Sequence, residues 1–226
     1  MATNYSPRIV TDGLILCLDA ADRKSYPGTG TTWTDRSGRG NNGTLGADIG
    51  FSSSNGGYFT FDGASDTDSG IRVAVTDFDT TEMTGITMSA WVKSNSISTS
   101  QNIISRNGPY FMRIVGSKLR MGIFTGSWLF ANGPTTLSSD TWYNFAITWD
   151  ETTAKSYING VLEDTESKTG SLAAGTTNQW LGYTSSVGQQ GPFDGQMAKI
   201  DIYDGALTAS EVLQNFNAIK GRFGLT

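Results

Sequence analysis

The chain has 226 residues, 21 Asp and Glu against 16 Lys and Arg, a formal net charge of −5, one cysteine and no histidine. That balance argues against a sequence-independent grip on nucleic acid, which relies on a basic surface displacing counterions. Without histidine there is no Ser–His or Cys–His nucleophile and no imidazole metal triad, and one thiol forms no internal disulfide.

Abundant Gly, Ser, Thr and Asn with only five prolines predicts many short strands joined by turns, in one domain spanning 1–226. No run of about 18 apolar residues suggests membrane insertion, and the short arm 1–7 lacks the order of a cleaved secretion leader. Strands are expected near 13–19, 58–62, 70–75, 86–93, 101–105, 110–115, 118–124, 127–131, 142–150, 153–159, 178–184 and 195–203. In the first, Cys17 reads as a small buried hydrophobe. The glycine-rich pieces at 28–30 and 37–40 lack the Lys-Ser/Thr of a phosphate loop and read as turns.

Within the strands, Tyr143, Phe145, Ile147 and Trp149 fall on one face and Asn144, Ala146 and Thr148 on the other. Ile86, Met88, Ala90 and Val92 likewise oppose Trp91 and Lys93. Asn159-Gly160 is a tight-turn signal between apolar runs. Thr208 and Glu211 form a capping box that opens a helix over 208–220, with Val212, Leu213, Phe216 and Ile219 as its apolar stripe and Gly221 as a left-handed stop. This helix is expected as a lid over one end of the strands. The fold class is therefore all-β, a two-sheet antiparallel sandwich with one short C-terminal helix.

Candidate chemistry is sparse. Glu163, Asp164 and Glu166 read as a solvated hairpin end, and Asp201 and Asp204, three apart on a strand, fall on opposite faces. Asp62, Asp66 and Asp68 place three carboxylates in a Gly/Ser loop, which reads either as a calcium loop or as an acidic turn. Aromatics beside amides suggest sugar contacts, Trp128 with Asn132 and Tyr110 with Asn107 first, then Trp180 and Tyr183 with Asn178 and Gln179. Arg113, Lys118 and Arg120 read as solvated strand ends.

Five segments carry a resemblance. Gly13-Leu14-Ile15-Leu16-Cys17-Leu18-Asp19-Ala20-Ala21, Trp33-Thr34-Asp35-Arg36-Ser37-Gly38-Arg39-Gly40-Asn41-Asn42-Gly43-Thr44-Leu45, Phe59-Thr60-Phe61-Asp62-Gly63, the run 142–150 and the closing 193–211 together resemble the laminin-G-like, concanavalin-A-like lectin and glucanase superfamily. The resemblance implies a jelly-roll sandwich, glycan binding, and in some members calcium at a loop edge. Where related chains carry Ile-Asp-Glu in the final strand, this one has Met197, Ala198 and Lys199. It also lacks the Glu-x-Asp-x-x-Glu of the glucanase branch, which implies a non-catalytic module. Its two ends resemble single-domain proteins of tailed phages. That implies a virion surface component (capsid decoration, neck or tail fibre) built in the host cytoplasm, present in several copies beside other virion proteins. Residues 1–6 and 222–226 read either as assembly contacts or as ordinary disordered ends. A calcium-assisted lectin for cell-surface polysaccharide is the second reading, and a glycoside hydrolase the third.

Overall fold

The alternating strands stack as two antiparallel sheets around an apolar centre. A computed structural model describes residues 8–75, 79–175, 178–183 and 191–226. In chain order the strands are β1 (Leu14–Asp19), β2 (Thr32–Trp33), β3 (Gly43–Leu45), β4 (Gly50–Ser52), β5 (Tyr58–Asp62), β6 (Ile71–Ala74), β7 (Ile86–Ser94), β8 (Gln101–Arg106), β9 (Tyr110–Val115), β10 (Lys118–Phe124), β11 (Trp128–Asn132), β12 (Trp142–Trp149), β13 (Thr153–Ile158), β14 (Val161–Ser167), β15 (Asn178–Leu181) and β16 (Asp194–Tyr203). The first sheet runs β14-β13-β12-β7-β16-β5-β4, with β1 also on β16. The second runs β11-β10-β9-β8-β15-β6-β3-β2.

One arrangement recurs in both sheets. In the first, β16 pairs with β7 along one edge and with β5 and then β1 along the other. In the second, β15 sits between β8 and β6. Each late strand thereby joins an early block, β1 to β6, to the middle block, β7 to β14.

The inward residues are those the alternation predicts. Phe145, Ile147 and Trp149 of β12 meet Ile86, Met88 and Ala90 of β7 and Met112, Ile114 and Met121 of the opposite sheet in one cluster. Full burial of each large apolar side chain contributes roughly 1.5–3 kcal/mol. The Asn159-Gly160 turn appears as expected, both residues at positive φ (52° and 77°) between paired Ile158 and Val161.

The segment 33–45 is held by its buried aspartate. Asp35 Oδ1 accepts hydrogen bonds from the amides of Cys17 (2.9 Å) and Ser37 (2.8 Å), and Oδ2 from Ser37 Oγ (2.7 Å) and the Asn41 amide (3.0 Å). Asn41 Nδ2 donates to the Ile15 carbonyl (3.0 Å), and Trp33 packs edge-on against Phe59. These bonds pin the loop to β1 and satisfy buried donors that would otherwise each cost about 1–3 kcal/mol.

Helix α1 (Ala209–Ile219) begins with the predicted capping box between Thr208 and Glu211. Its position corrects the expectation of a lid at one end. α1 and the 3-10 turn after it lie across the outer face of the first sheet, where Phe216, Ile219, Phe223 and Leu225 cover Trp91, Trp142 and Ala198, and Val212 and Leu207 cover Ala146 and Tyr157. Trp91 is stacked by Phe216 and Phe223, with ring centroids 5.7 and 4.6 Å away.

The predicted stop at Gly221 is also corrected. The chain continues as a 3-10 turn over Lys220–Phe223, and the left-handed residue is Gly224 (φ 69°). Leu213, placed on the apolar stripe, is exposed. The end at 222–226, read as an assembly contact or a disordered end, packs on its own chain: Arg222 donates to Asp19 Oδ1 (2.8 Å) and to the Gly57 carbonyl (3.1 Å). Residues 1–6 lie outside the described residues. Glu163, Asp164 and Glu166, read as a hairpin end, stand within β14, a strand that the sequence reading left as loop.

Candidate functional site

With the first sheet's outer face covered, the outer face of the second sheet is exposed at its β10–β11 end, whereas Asn102 and Ser105 on β8 are buried and donate to the carbonyls of Gly191 (3.0 Å) and Tyr183 (2.7 Å); register lines the outward side chains up in rows. One row is polar: Asn132 of β11 faces Arg120 of β10, which faces Arg113 of β9, which faces Asn102 of β8. At about 4.8 Å per strand the row spans about 14 Å. It is held internally, since Arg120 Nε donates to Asn132 Oδ1 (2.7 Å) and Arg113 Nε donates to Asn102 Oδ1 (2.6 Å).

Two residues along lies an aromatic row. Phe130 faces Gly122, which faces Phe111, then Ser105 of β8, Trp180 of β15 and Arg72 of β6. Gly122 is the gap that lets Phe111 lie down: a Cβ there would stand 2.1 Å from the Phe111 ring. The Arg113 guanidinium stacks on the same ring at 3.8 Å. Trp128 closes the group, 5.4 Å from Phe130 and nearly parallel to it at 15°, 5.3 Å from Phe111 and 5.1 Å from Phe124. Trp128 is 38 % and Phe130 54 % exposed, so two stacked rings present their surfaces to solvent. Further along, Trp180 and Tyr183 meet edge to face at 5.1 Å.

The electrostatics of the face follow from its composition. The strands of the second sheet contain no Asp or Glu; of their cations Arg72, Arg113, Lys118 and Arg120 take outward positions, while Arg106, paired with Tyr110 and Gln179, takes an inward one. The first sheet's strands contain Asp19, Asp62, Glu163, Asp164, Glu166, Asp194 and Asp201 against three lysines. Burial, and then repulsion from Arg120, push Arg113 down to about 10.

The predicted site residues divide. Trp128 and Asn132 stand on the open face. Tyr110 does not, which is a correction: its ring is fully buried in the core and its hydroxyl donates to Gln179 Oε1 at 2.7 Å. Tyr110 and Gln179 occupy inward positions of β9 and β15, opposite in sense to Phe111 and Trp180. Asn107 is exposed in the turn joining β8 and β9, away from both rows. The solvated-end reading of Arg113 is corrected as well, since it is buried at mid-strand. Phe111, Phe130 and Asn102 went unselected, although the alternation of Tyr110, Met112 and Ile114 against Phe111 and Arg113 was available to place them.

In the acidic loop the carboxylates are engaged in local turn bonds. Asp66 Oδ1 caps the following turn, accepting from the amides of Asp68 and Ser69 (both 3.0 Å) and from Ser69 Oγ (3.0 Å), while Asp62 Oδ1 accepts from the Ala64 amide (2.9 Å). Among the described residues no group of three acidic, histidine or cysteine side chains is placed to hold a metal. Burial and the charges of Asp66, Asp62 and Asp68 raise the Asp48 carboxyl above its usual range, a crowding of like charges.

Nor does the open face offer a pair of carboxylates across a substrate, as glycoside hydrolysis needs, because its strands have none. The buried acid of β16, Asp201, is paired with Lys199. Burial disfavours the Lys199 ammonium, but the adjacent Asp201 carboxylate outweighs this and holds the lysine above its usual range. Cys17, with its Sγ 3.5 Å from Lys199 Nζ, is a thiol raised well above its usual range by burial, as expected of a structural residue.

The fold is a two-sheet antiparallel sandwich with one short helix laid on the first sheet. The chain belongs to the concanavalin A-like lectin/glucanases superfamily, whose Laminin_G_3 family matches residues 62–213. Among curated proteins none matches. Of solved structures, the binding domain of botulinum neurotoxin DC in complex with SialylT is similar at a TM-score of 0.73 and 18% identity, over 93% of this chain and 52% of that one. The binding domain of Paraclostridial mosquitocidal protein 1 gives 0.71 at 16% identity, over 92% and 52%. The ligand-binding domain of botulinum neurotoxin serotype D, in complex with N-acetylneuraminic acid, gives 0.70 at 16% identity, over 92% and 51%. The chain spans about half the length of these structures, and at such identities the likeness is one of fold.

Proposed function

We propose that this chain is a non-catalytic glycan-binding module and that the open face of its second sheet makes the contact. The observation that carries the reading is the stacked pair Trp128 and Phe130, exposed beside Asn132 and the half-buried Arg120. Sugar rings offer C–H faces to aromatic planes and hydroxyls to amides and guanidinium groups, so adjacent apolar and polar rows match both. Two of the similar structures were solved with a sialylated or N-acetylneuraminic acid ligand, which supports a carbohydrate reading of the fold.

The setting proposed with it is the surface of a tailed-phage particle, in several copies beside capsid or tail proteins. Its support is the sequence resemblance of the two ends. The test of binding is a glycan array probed with and without a calcium chelator. Binding is expected in both conditions, and Trp128→Ala is expected to weaken the best ligand at least about tenfold, about 1.4 kcal/mol. Silence on the array, or an unchanged affinity in Trp128→Ala, would overturn the reading.

A further inference from the structure

Resting on that proposed glycan site, we infer that its ligand is anionic: a carboxylate-bearing oligosaccharide, of the uronic-acid type, laid across the second sheet with an acid group on Arg120.

The first support is the segregation of charge. In a chain whose net charge is −5, the strands of one entire sheet carry cations and no acid. A scattered distribution would place acids opposite arginines along the sheet, because opposite charges in directly facing positions stabilise a strand pair and like charges destabilise it. Here Arg113 and Arg120 face each other directly. The sheet tolerates this repulsion by stacking one guanidinium on Phe111 and tying each Nε to an asparagine oxygen.

The second support is what remains available. Arg120 is half-buried, and among the described residues its Nε bond to Asn132 leaves both terminal nitrogens without a protein acceptor and no carboxylate reaches it. Arg72 is exposed beside Trp180, also without an acid partner among the described residues. A guanidinium fork held by Nε presents its outer N–H pair as a planar donor that matches a carboxylate in bidentate geometry. An anionic ligand would relieve the Arg113–Arg120 repulsion, an energy gain that a neutral sugar lacks. Trp128 and Phe130 lie alongside, so a sugar ring stacked there places its acid substituent toward the arginine row. The charge and ring rows run in parallel across several strands, which fits an extended oligomer over a single sugar.

The experiment compares a short oligogalacturonate with the same oligomer after reduction of its carboxyl groups, by titration calorimetry on the full chain. The acidic oligomer is expected to bind about tenfold tighter, an advantage that shrinks as salt rises and disappears in Arg120→Gln. Arg120→Lys, which keeps charge but loses the fork, is expected to fall between. An unchanged thermal midpoint confirms that these variants remain folded.

Equal binding of the two oligomers, with Arg120→Gln silent, overturns this inference and leaves the glycan reading standing. Binding of neither overturns this inference, and silence on the wider array then removes the glycan reading too. A single-stranded oligonucleotide of the same charge that binds more tightly, or concentration-dependent self-association lost in Trp128→Ala, also overturns it by giving the face to a nucleic acid or to a second copy.

Discussion

Trp91 and Trp128 are both outward-pointing tryptophans on antiparallel strands, yet one is 2 % exposed and the other 38 %. The difference is made by a segment remote from both. α1 and the turn after it lay Phe216 and Phe223 over Trp91, and Arg222 ties that turn back to Asp19 and Gly57. No corresponding element among the described residues lies on Trp128, which is stacked only by the neighbouring rings of its own sheet. The same residue type, on the same kind of strand, thus serves packing in one layer and presentation in the other. Periodicity assigns a residue to a face, and only the tertiary arrangement says whether that face is covered.

The contrast can be broken most severely at the covered face. Trp91→Ala empties a position enclosed by two rings and is expected to destabilise the chain by about 3–5 kcal/mol in denaturant unfolding. A cost below about 1 kcal/mol would show that the helix is not seated on this strand. On the open face, Gly122→Ala puts a methyl where the Phe111 ring lies and is expected to cost about 1–3 kcal/mol. It also lifts the ring away from Arg113 and Trp128, so tryptophan fluorescence should shift together with any loss of glycan binding. The smallest effect is expected for Phe130→Ala, which removes a ring already 54 % exposed and should cost less than about 1.5 kcal/mol, the worth of an aromatic pair. A larger loss would mean that Phe130 holds β11 in place, and the two faces would then differ less than their exposure suggests.

How far the sequence reached follows from these same residues. Strands β7, β9, β10 and β12 were legible because each carries a clean period of two, β16 despite an irregularity between Met197 and Lys199 that shifts its alternation, and α1 because Thr208 and Glu211 cap it and Val212, Phe216 and Ile219 form its stripe. β14 was not, since Val161–Ser167 is mostly polar and both of its faces are partly wet, which leaves no alternation to read. Short β2, β3 and β4 pass as loops for want of length. Gly221 misled because glycine permits a left-handed stop without enforcing one, and the chain kept turning to Gly224.

Half of the candidate site was readable. Trp128 and Asn132, at i and i+4 on one strand, share a face by local geometry alone. Tyr110 was taken for its neighbour Phe111: a shift of one residue exchanges core for surface, and the polar hydroxyl found a partner inside. The Asn132–Arg120–Arg113–Asn102 row was beyond reach because it exists only through the register of four strands. The carboxylate trio could not be resolved by spacing, which does not reveal the local use of Asp66 as a turn cap.

The placement of β15 and β16 has a consequence for synthesis. Each is the bridge between two blocks of its sheet, so until residues 178–203 leave the ribosome neither sheet can join its early strands to its middle ones, and the edges that β15 and β16 fill stay unpaired. Pairings of such long sequence separation are slow to form, and unpaired edges are templates for wrong partners. Production of this polypeptide is therefore governed by its last quarter: slowing translation before that point lengthens the exposure of unzipped strands, and a truncation that removes β16 strands β1, β5 and β4 away from the rest of their layer.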